Sequence, residues 1–453
     1  MELKSCAYAT VTTLGDFGPW ISKVVLDLPC TVRANDIDAS TFHIYVERHE
    51  RTGEILMRKE HGADHAAPSV GYIDVLAAYP CDENGRKLAV GTHVALEVAE
   101  QRLTKRSKAA SWARACSMTS CTSRSSQLFP ATTATIPPAV WPSTPAAAIS
   151  ARAQGWSNAT QKTPVNGIAL EYGFFEPSFK AEDSACFNPF APEATVVPQK
   201  APLVVYLHGA GEGKGSTQGE GATRAYIGNR VTAISQAQIQ RYFGGFAWVL
   251  VPQSPTFWMD NGVEQLGRSN QSIYSPVLKA LIDEFVAEHA ERIDTDRIVV
   301  AGLSNGGFMT LRLCADYPDF FAAGLPCCAP WYNATDEDVA ALAKTPLWFT
   351  HSKGDELVSP QQTVLPLTAR LHDAGANVHL TYFSHVEDLT GRYREADGSP
   401  KKTFNHGVWI HQFTTCVIKT STGATYSSTA SRWAAGSGRP EFRGSHPIGG
   451  PGL

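Results

Sequence analysis

The segment Gly302-Leu303-Ser304-Asn305-Gly306, followed by Gly307, constrains this chain more than any other. It directly follows the β-branched apolar run at 297–301 (RIVVA) and opens an apolar stretch at 308–317 that suits a helix. A strand that becomes a helix within five residues needs a tight bend, and glycines at 302 and 306 leave room for one. Ser304 then stands at the apex, held out at the C-terminal edge of a sheet. The alternative for such a serine is an ordinary helix N-cap.

The surrounding pattern supplies the sheet. Short apolar runs at 203–207 (LVVYL), 247–251 (AWVLV), 297–301, 324–328, 347–351 (LWFTH) and 378–383 (VHLTYF) read as strands buried on both faces. Between them, 276–290 gathers Val277, Leu278, Leu281, Ile282 and Phe285 on one helical face, and 360–374 does the same with Val364, Leu365, Leu367 and Leu371. Such repetition predicts an α/β fold with a mostly parallel, doubly wound sheet. The N-terminal region differs. Its runs at 22–28, 41–47, 71–79 and 88–98 are β-branched or aromatic and separated by turn signals such as Glu83-Asn84-Gly85. These predict a small all-β sandwich.

The expected domains are a β-sandwich over 1–104, a biased linker over 105–160, a catalytic α/β domain over 161–419 and a disordered tail over 420–453. Ala, Ser, Thr and Pro fill 32 of the 50 positions from Lys105 to Gln154, and no acid occurs between Glu100 and Glu171. Two readings of that stretch stay open: a Ser/Thr/Pro linker, or sequence translated out of its ancestral frame.

With a net charge of −4 and scattered Lys and Arg, the chain lacks the basic stripe of a nucleic-acid binder. No run approaches the ~18 apolar residues of a membrane span, and the first twenty residues lack the apolar core of a signal peptide. As written, a cytoplasmic protein is expected, or a secreted one if the N-terminus is incomplete. The ten cysteines are dispersed, with no C-x-x-C. They read as free or buried thiols, with no metal site and no cofactor.

A serine nucleophile requires a base, an orienting carboxylate and an oxyanion hole. Gly209, Ala210 and Gly211 follow the strand-like run LVVYL, and their backbone N–H groups are candidates for the hole together with that of Asn305. His208 sits before that turn and reads as packing, while Glu212 is a candidate substrate contact. Downstream, Asp355 lies in the turn after LWFTH, with Glu356 its neighbouring competitor. Five later histidines compete as base: His372, His379, His385, His406 and His411. His406 is favoured because it lies on a loop after the last strand, with Trp409 three residues on to pack beneath it. The order Ser304, Asp355, His406 suits a Ser-His-Asp triad. Trp258 and Trp409 are candidate pocket residues.

The pieces LVVYLHGAGEGKG, RIVVAGLSNGGFMT, THSKGDELV and FSHVEDLTGRYREADGSPKKTFNHGVWI together resemble bacterial esterases and poly(3-hydroxybutyrate) depolymerase-like proteins. These are α/β-hydrolases near the prolyl oligopeptidase branch. The resemblance aligns His406, not His385, with the base, although Asn405-His406-Gly407 replaces the typical Gly-His-Trp. GPWISKVVLDL and DASTFHIYVER resemble the immunoglobulin-like domain that precedes some of these esterases. The resemblance implies a serine hydrolase acting on small or polymeric carboxylic esters through an acyl-enzyme, without nucleic-acid or membrane partners. Two rivals remain: a serine peptidase on the same fold, and a non-catalytic binding protein that uses the sandwich. The oligomeric state is open.

Overall fold

The structure is a computed structural model and describes residues 8–15, 18–42, 44–47, 54–58, 65–98, 116–118, 134–135, 155–184, 186, 196–213, 221–388, 394–395, 397–412, 418–419 and 425–426. Most of the expected linker and tail lies outside the described residues. The chain divides into two compact units: Met1–Asn158 with Ala210–Thr232 and Gln253–Thr256, and Ala159–Gly209 with Ala233–Pro252 and Phe257–Leu453.

The first unit is built on two antiparallel sheets. One carries Tyr8–Gly15, Gly18–Arg33, Val90–Val98 and Val75–Cys81 in that order. Alternation decides its faces. Val24 pairs with Leu96 and Leu26 with Val94, and these four are buried in one apolar cluster with Trp20, Phe42 and Ile44. Val25 and Ala95, one residue out of step, point to the opposite face and pack with Cys81. The run predicted as one strand at 71–79 is two. Val70–Ile73 pairs with Ile44–Glu47, whereas Val75–Cys81 pairs with Val90–Val98, so the chain changes sheets at Asp74. Short strands Cys116–Met118 and Ala134–Thr135 extend the second sheet from within the stretch expected as linker.

The largest sheet among the described residues has eight strands, with most of its residues in the second unit. Their order is Trp156–Thr160, Glu171–Phe175, Trp248–Gln253, Ala201–Leu207, Ile293–Leu303, Ala323–Cys327, Leu347–Ser352 and Val378–Phe383. From Trp248–Gln253 to Val378–Phe383 every neighbouring pair is parallel. The sheet begins at Trp156, inside the range expected as linker. Its first two strands are half-exposed and short, so neither carries the continuous apolar run of a buried parallel strand. Helix Ser275–Glu288 buries the five apolar residues predicted for its inner face, each 0–1% exposed. Burial of that kind contributes about 1.5–3 kcal/mol per side chain. Helix Val364–Asp373 buries Val364, Leu367 and Leu371 in the same manner, and begins four residues later than Pro360.

Candidate active site

Strand Ile293–Leu303 ends at Ser304, and helix Asn305–Asp316 starts one residue later. Ser304 has φ 52° and ψ −116°, a conformation that L-residues avoid and that costs about 1–3 kcal/mol. The elbow is held by a backbone bond from Ser304 N–H to Cys327 O at 2.8 Å and by Phe308 N–H to Ser304 O at 2.9 Å. Two glycines make the bend sterically feasible. A Cβ on Gly306 would overlap the carbonyl of Leu207, and one on Gly307 would come within 2.5 Å of Cys327 O. Gly306→Ala is therefore expected to destabilise the protein by about 3 kcal/mol or more, measured by urea unfolding.

Two further loops meet at this serine. His406 Nε2 lies 2.9 Å from Ser304 Oγ, and His406 Nδ1 lies 2.9 and 2.8 Å from the two Asp355 oxygens. A carboxylate only accepts, so Nδ1 carries the proton and Nε2 of the neutral ring is left to accept from the serine hydroxyl. Asp355 and His406 are both buried, at 8% and 3% exposure.

The loop that presents Asp355 is stitched to the turn that presents His406. Asp355 Oδ1 also accepts from Leu357 N–H at 2.9 Å and Val358 N–H at 2.8 Å. Glu356, the competitor for the acid role, accepts instead from Asn405 N–H at 3.1 Å and His406 N–H at 3.3 Å. Asn405 Oδ1 accepts from Val386 N–H at 3.0 Å and Ser352 Oγ at 3.3 Å. A Cβ on Gly354 would come within 2.6 Å of the Asn405 amide, so the glycine permits that approach. Asn405, where the resembled family has glycine, thus ties three chain segments behind the imidazole. Trp409 is fully buried and meets the His406 ring edge-on, with centroids 5.7 Å apart and planes at 83°.

Burial alone would push the Asp355 carboxyl up. Hydrogen bonds from His351 and His406, with the His406 charge and the Val358 N–H, outweigh it and hold Asp355 below the ordinary carboxylate range. For His406, burial disfavours the imidazolium, while the neighbouring Cys328 and Asp355 favour it and prevail, so the ring titrates above the ordinary histidine value. Cys328 is fully buried, and burial raises its thiol well above the usual range.

The other candidates fall elsewhere. His385 Nε2 pairs with Glu387 at 2.8 Å, and His208 is buried with its Nδ1 2.7 Å from Gly209 O and its ring beside Trp258. Asn305 is the first residue of the helix, where backbone N–H groups lack intrahelical acceptors. Its side-chain oxygen accepts from Trp258 N–H at 2.6 Å. Trp258, expected to line a pocket, is fully buried in the core against Tyr274. Ala210, Gly211 and Glu212 form a short 3-10 turn after strand Ala201–Leu207. Glu212, expected as a substrate contact, is 2% exposed, and its carbonyl accepts from Gln253 Nε2 at 2.8 Å. Sequence reading did not single out His351 or Cys328 and gave Asn405 no positive role. His351 closes the run LWFTH four residues before Asp355, a spacing that could have drawn notice. Among the described residues Cys328, Asp355 and His406 form a cluster with metal-ligand atoms within 4.8 Å of one another.

The fold is an α/β-hydrolase preceded by an immunoglobulin-like sandwich. Residues 7–143 match the esterase Ig-like N-terminal domain family, and residues 258–338 match the prolyl oligopeptidase family. The first match runs beyond residue 104 and takes in both short strands found in the expected linker. Among curated relatives, Putative esterase NocK of Nocardia uniformis subsp. tsuyamanensis is 29% identical over 134 residues, covering 29% of this chain and 34% of that protein. Poly(3-hydroxyalkanoate) depolymerase C of Paucimonas lemoignei is 30% identical over 159 residues, covering 33% of each. The chain thus spans about a third of the length of the curated relatives it matches. A thermostable esterase of solved structure shares the fold with a TM-score of 0.53 at 19% identity, covering 90% of this chain and 95% of its own. Among the described residues no helix is long and apolar enough to cross a membrane.

Proposed function

We propose that this protein is a serine hydrolase that cleaves carboxylic esters through an acyl-enzyme. The observation that carries this reading is the 2.9 Å contact between Ser304 Oγ and His406 Nε2, in line with Asp355 and set on a strained strand-helix turn. Ser304 Oγ attacks the ester carbonyl carbon while His406 Nε2 takes its proton. The tetrahedral intermediate collapses as Nε2 returns that proton to the departing alkoxide, leaving an acyl-Ser304. Water then repeats the sequence and frees the acid. Asp355 keeps the imidazole in the required tautomer and supports its charge. Backbone N–H groups of Asn305 and of the turn Gly209, Ala210 and Gly211 are the proposed oxyanion donors, and Trp409 acts as packing beneath the base.

Esters rather than amides are proposed as substrates because both curated relatives are named for ester cleavage. The match of residues 258–338 to the prolyl oligopeptidase family favours a second reading, a peptidase. Assay of p-nitrophenyl acetate and butyrate against the matching p-nitroanilides separates the two. Faster turnover of the esters supports the first reading, faster turnover of the anilides the second, and none from folded protein a non-catalytic binding role. Cys328 offers the same imidazole a second nucleophile. Its burial and raised pKa argue against that use, so Cys328→Ala is expected to keep ester turnover within about threefold.

A further inference from the structure

Asp355 is better supplied with donors than a triad acid requires. Besides His406 and the two backbone N–H groups, a second imidazole reaches it. His351 Nε2 lies 3.2 Å from Asp355 Oδ2 and 3.0 Å from Val358 O. A bare nitrogen facing two oxygens would be repelled by both, so Nε2 carries a proton, hydrogen-bonded to Val358 O and in close polar contact with Asp355 Oδ2. The opposite nitrogen, Nδ1, is buried and finds no hydrogen-bond partner among the described residues. Nε2 is therefore the His351 nitrogen that donates, on a side chain fully buried near the end of strand Leu347–Ser352.

We infer that His351 is a positioning residue for the triad: it holds Asp355 Oδ2, the oxygen 2.8 Å from His406 Nδ1, and by sharing that oxygen limits how strongly the carboxylate stabilises the His406 imidazolium. This rests on the triad reading above. Oδ1 is fixed by two backbone N–H groups that no side-chain substitution removes. Among the described residues Oδ2 has only the two histidines, one of which must change protonation during turnover. His351 therefore supplies a constant polar partner for that oxygen. Its second bond, to Val358 O, anchors it to the same segment that caps Oδ1.

The signs follow from charge. Removing the His351 donor concentrates negative charge on Oδ2 toward His406, raises the imidazolium's stability and delays formation of the neutral base as pH rises. His351→Leu is expected to lower kcat about 10- to 100-fold, the range found when partners that orient ligating histidines are lost. KM should stay within about twofold, and the acid limb of kcat/KM should move to higher pH by about half a unit or more. His351→Gln, whose amide can donate to both oxygens, should restore rate and limb position to within about threefold of wild type.

The test is the pH profile of ester hydrolysis by both variants, with proton NMR of the far-downfield His406 Nδ1 proton as a readout independent of turnover. An upward shift in His351→Leu, followed by the NMR titration and reversed in His351→Gln, supports the inference. A wild-type limb and titration in His351→Leu, or a glutamine variant no better than leucine, overturns it. Should the leucine variant fail to fold by circular dichroism, His351→Gln and His351→Asn are compared instead. The shorter amide cannot reach Oδ2, so equal profiles for these two overturn it. Ser304→Ala serves as the control on the underlying reading: retained turnover there sinks the triad itself, whereas its loss leaves the histidine result to decide this inference alone.

Discussion

Ser304→Ala is expected to lower kcat for p-nitrophenyl acetate on the order of 10⁵- to 10⁶-fold while leaving the fold intact. The size follows from the role. Without the hydroxyl no acyl-enzyme can form, and the remaining members of a cooperative triad contribute little alone; what is left comes from binding and oxyanion donors, about 10³- to 10⁴-fold over water. The substitution removes one oxygen from a half-buried position and keeps the backbone bonds to Cys327 and Phe308. Alanine must still adopt φ near 52°, as serine does, so stability should change by less than about 1 kcal/mol. Steady-state kinetics and thermal unfolding on one preparation check both halves. Loss of activity with loss of fold would not count for the mechanism, and near-normal turnover would refute it.

Asp355→Asn is expected to lower kcat about 10⁴-fold, because an amide can donate to Nδ1 and so favour the wrong imidazole tautomer. Its pH dependence carries a second, signed consequence. In the wild type Cys328 and the Asp355 carboxylate together hold His406 above the ordinary histidine value against burial, and only the neutral ring can accept the serine proton. The kcat/KM of wild type should therefore fall on the acid side with a midpoint above about pH 6.5. Removing the carboxylate takes away one of the two neighbours that oppose burial, so the midpoint should move to lower pH. That is opposite in sign to the shift expected for His351→Leu. The two variants together test whether Asp355 sets the base's titration and His351 moderates it. A limb that stays in place in Asp355→Asn would assign it to another group.

Much of this site could be read from the sequence because its signals are local. Gly302, Ser304, Gly306 and Gly307 sit within six residues, so the motif is visible locally, although the backbone that crowds Gly306 and Gly307 comes from Leu207 and Cys327, distant in sequence. Asp355 and His406 were legible from chain order and loop position. What was not legible depends on contacts between segments far apart in sequence. The 51-residue separation of Asp355 and His406 hides the bonds from Glu356 and Asn405 that lock their loops together. Likewise, nothing in LWFTH says that its histidine turns back onto the aspartate. Trp258 illustrates the reverse error. Nearness in sequence to a catalytic loop suggested a pocket, whereas the side chain is in the core and only the backbone N–H reaches Asn305. In the sandwich, the change of sheet at Asp74 was invisible because both halves of 71–79 have the same strand-like composition.

The central claim is that Ser304 is the nucleophile, and covalent trapping tests it most directly. Wild-type protein treated with a fluorophosphonate is expected to gain one phosphonyl group, with loss of fluoride, and peptide mass spectrometry should place it on Ser304. Ser304→Ala should take up none. A stoichiometric adduct on another residue, or an unmodified but folded wild type, would contradict the account.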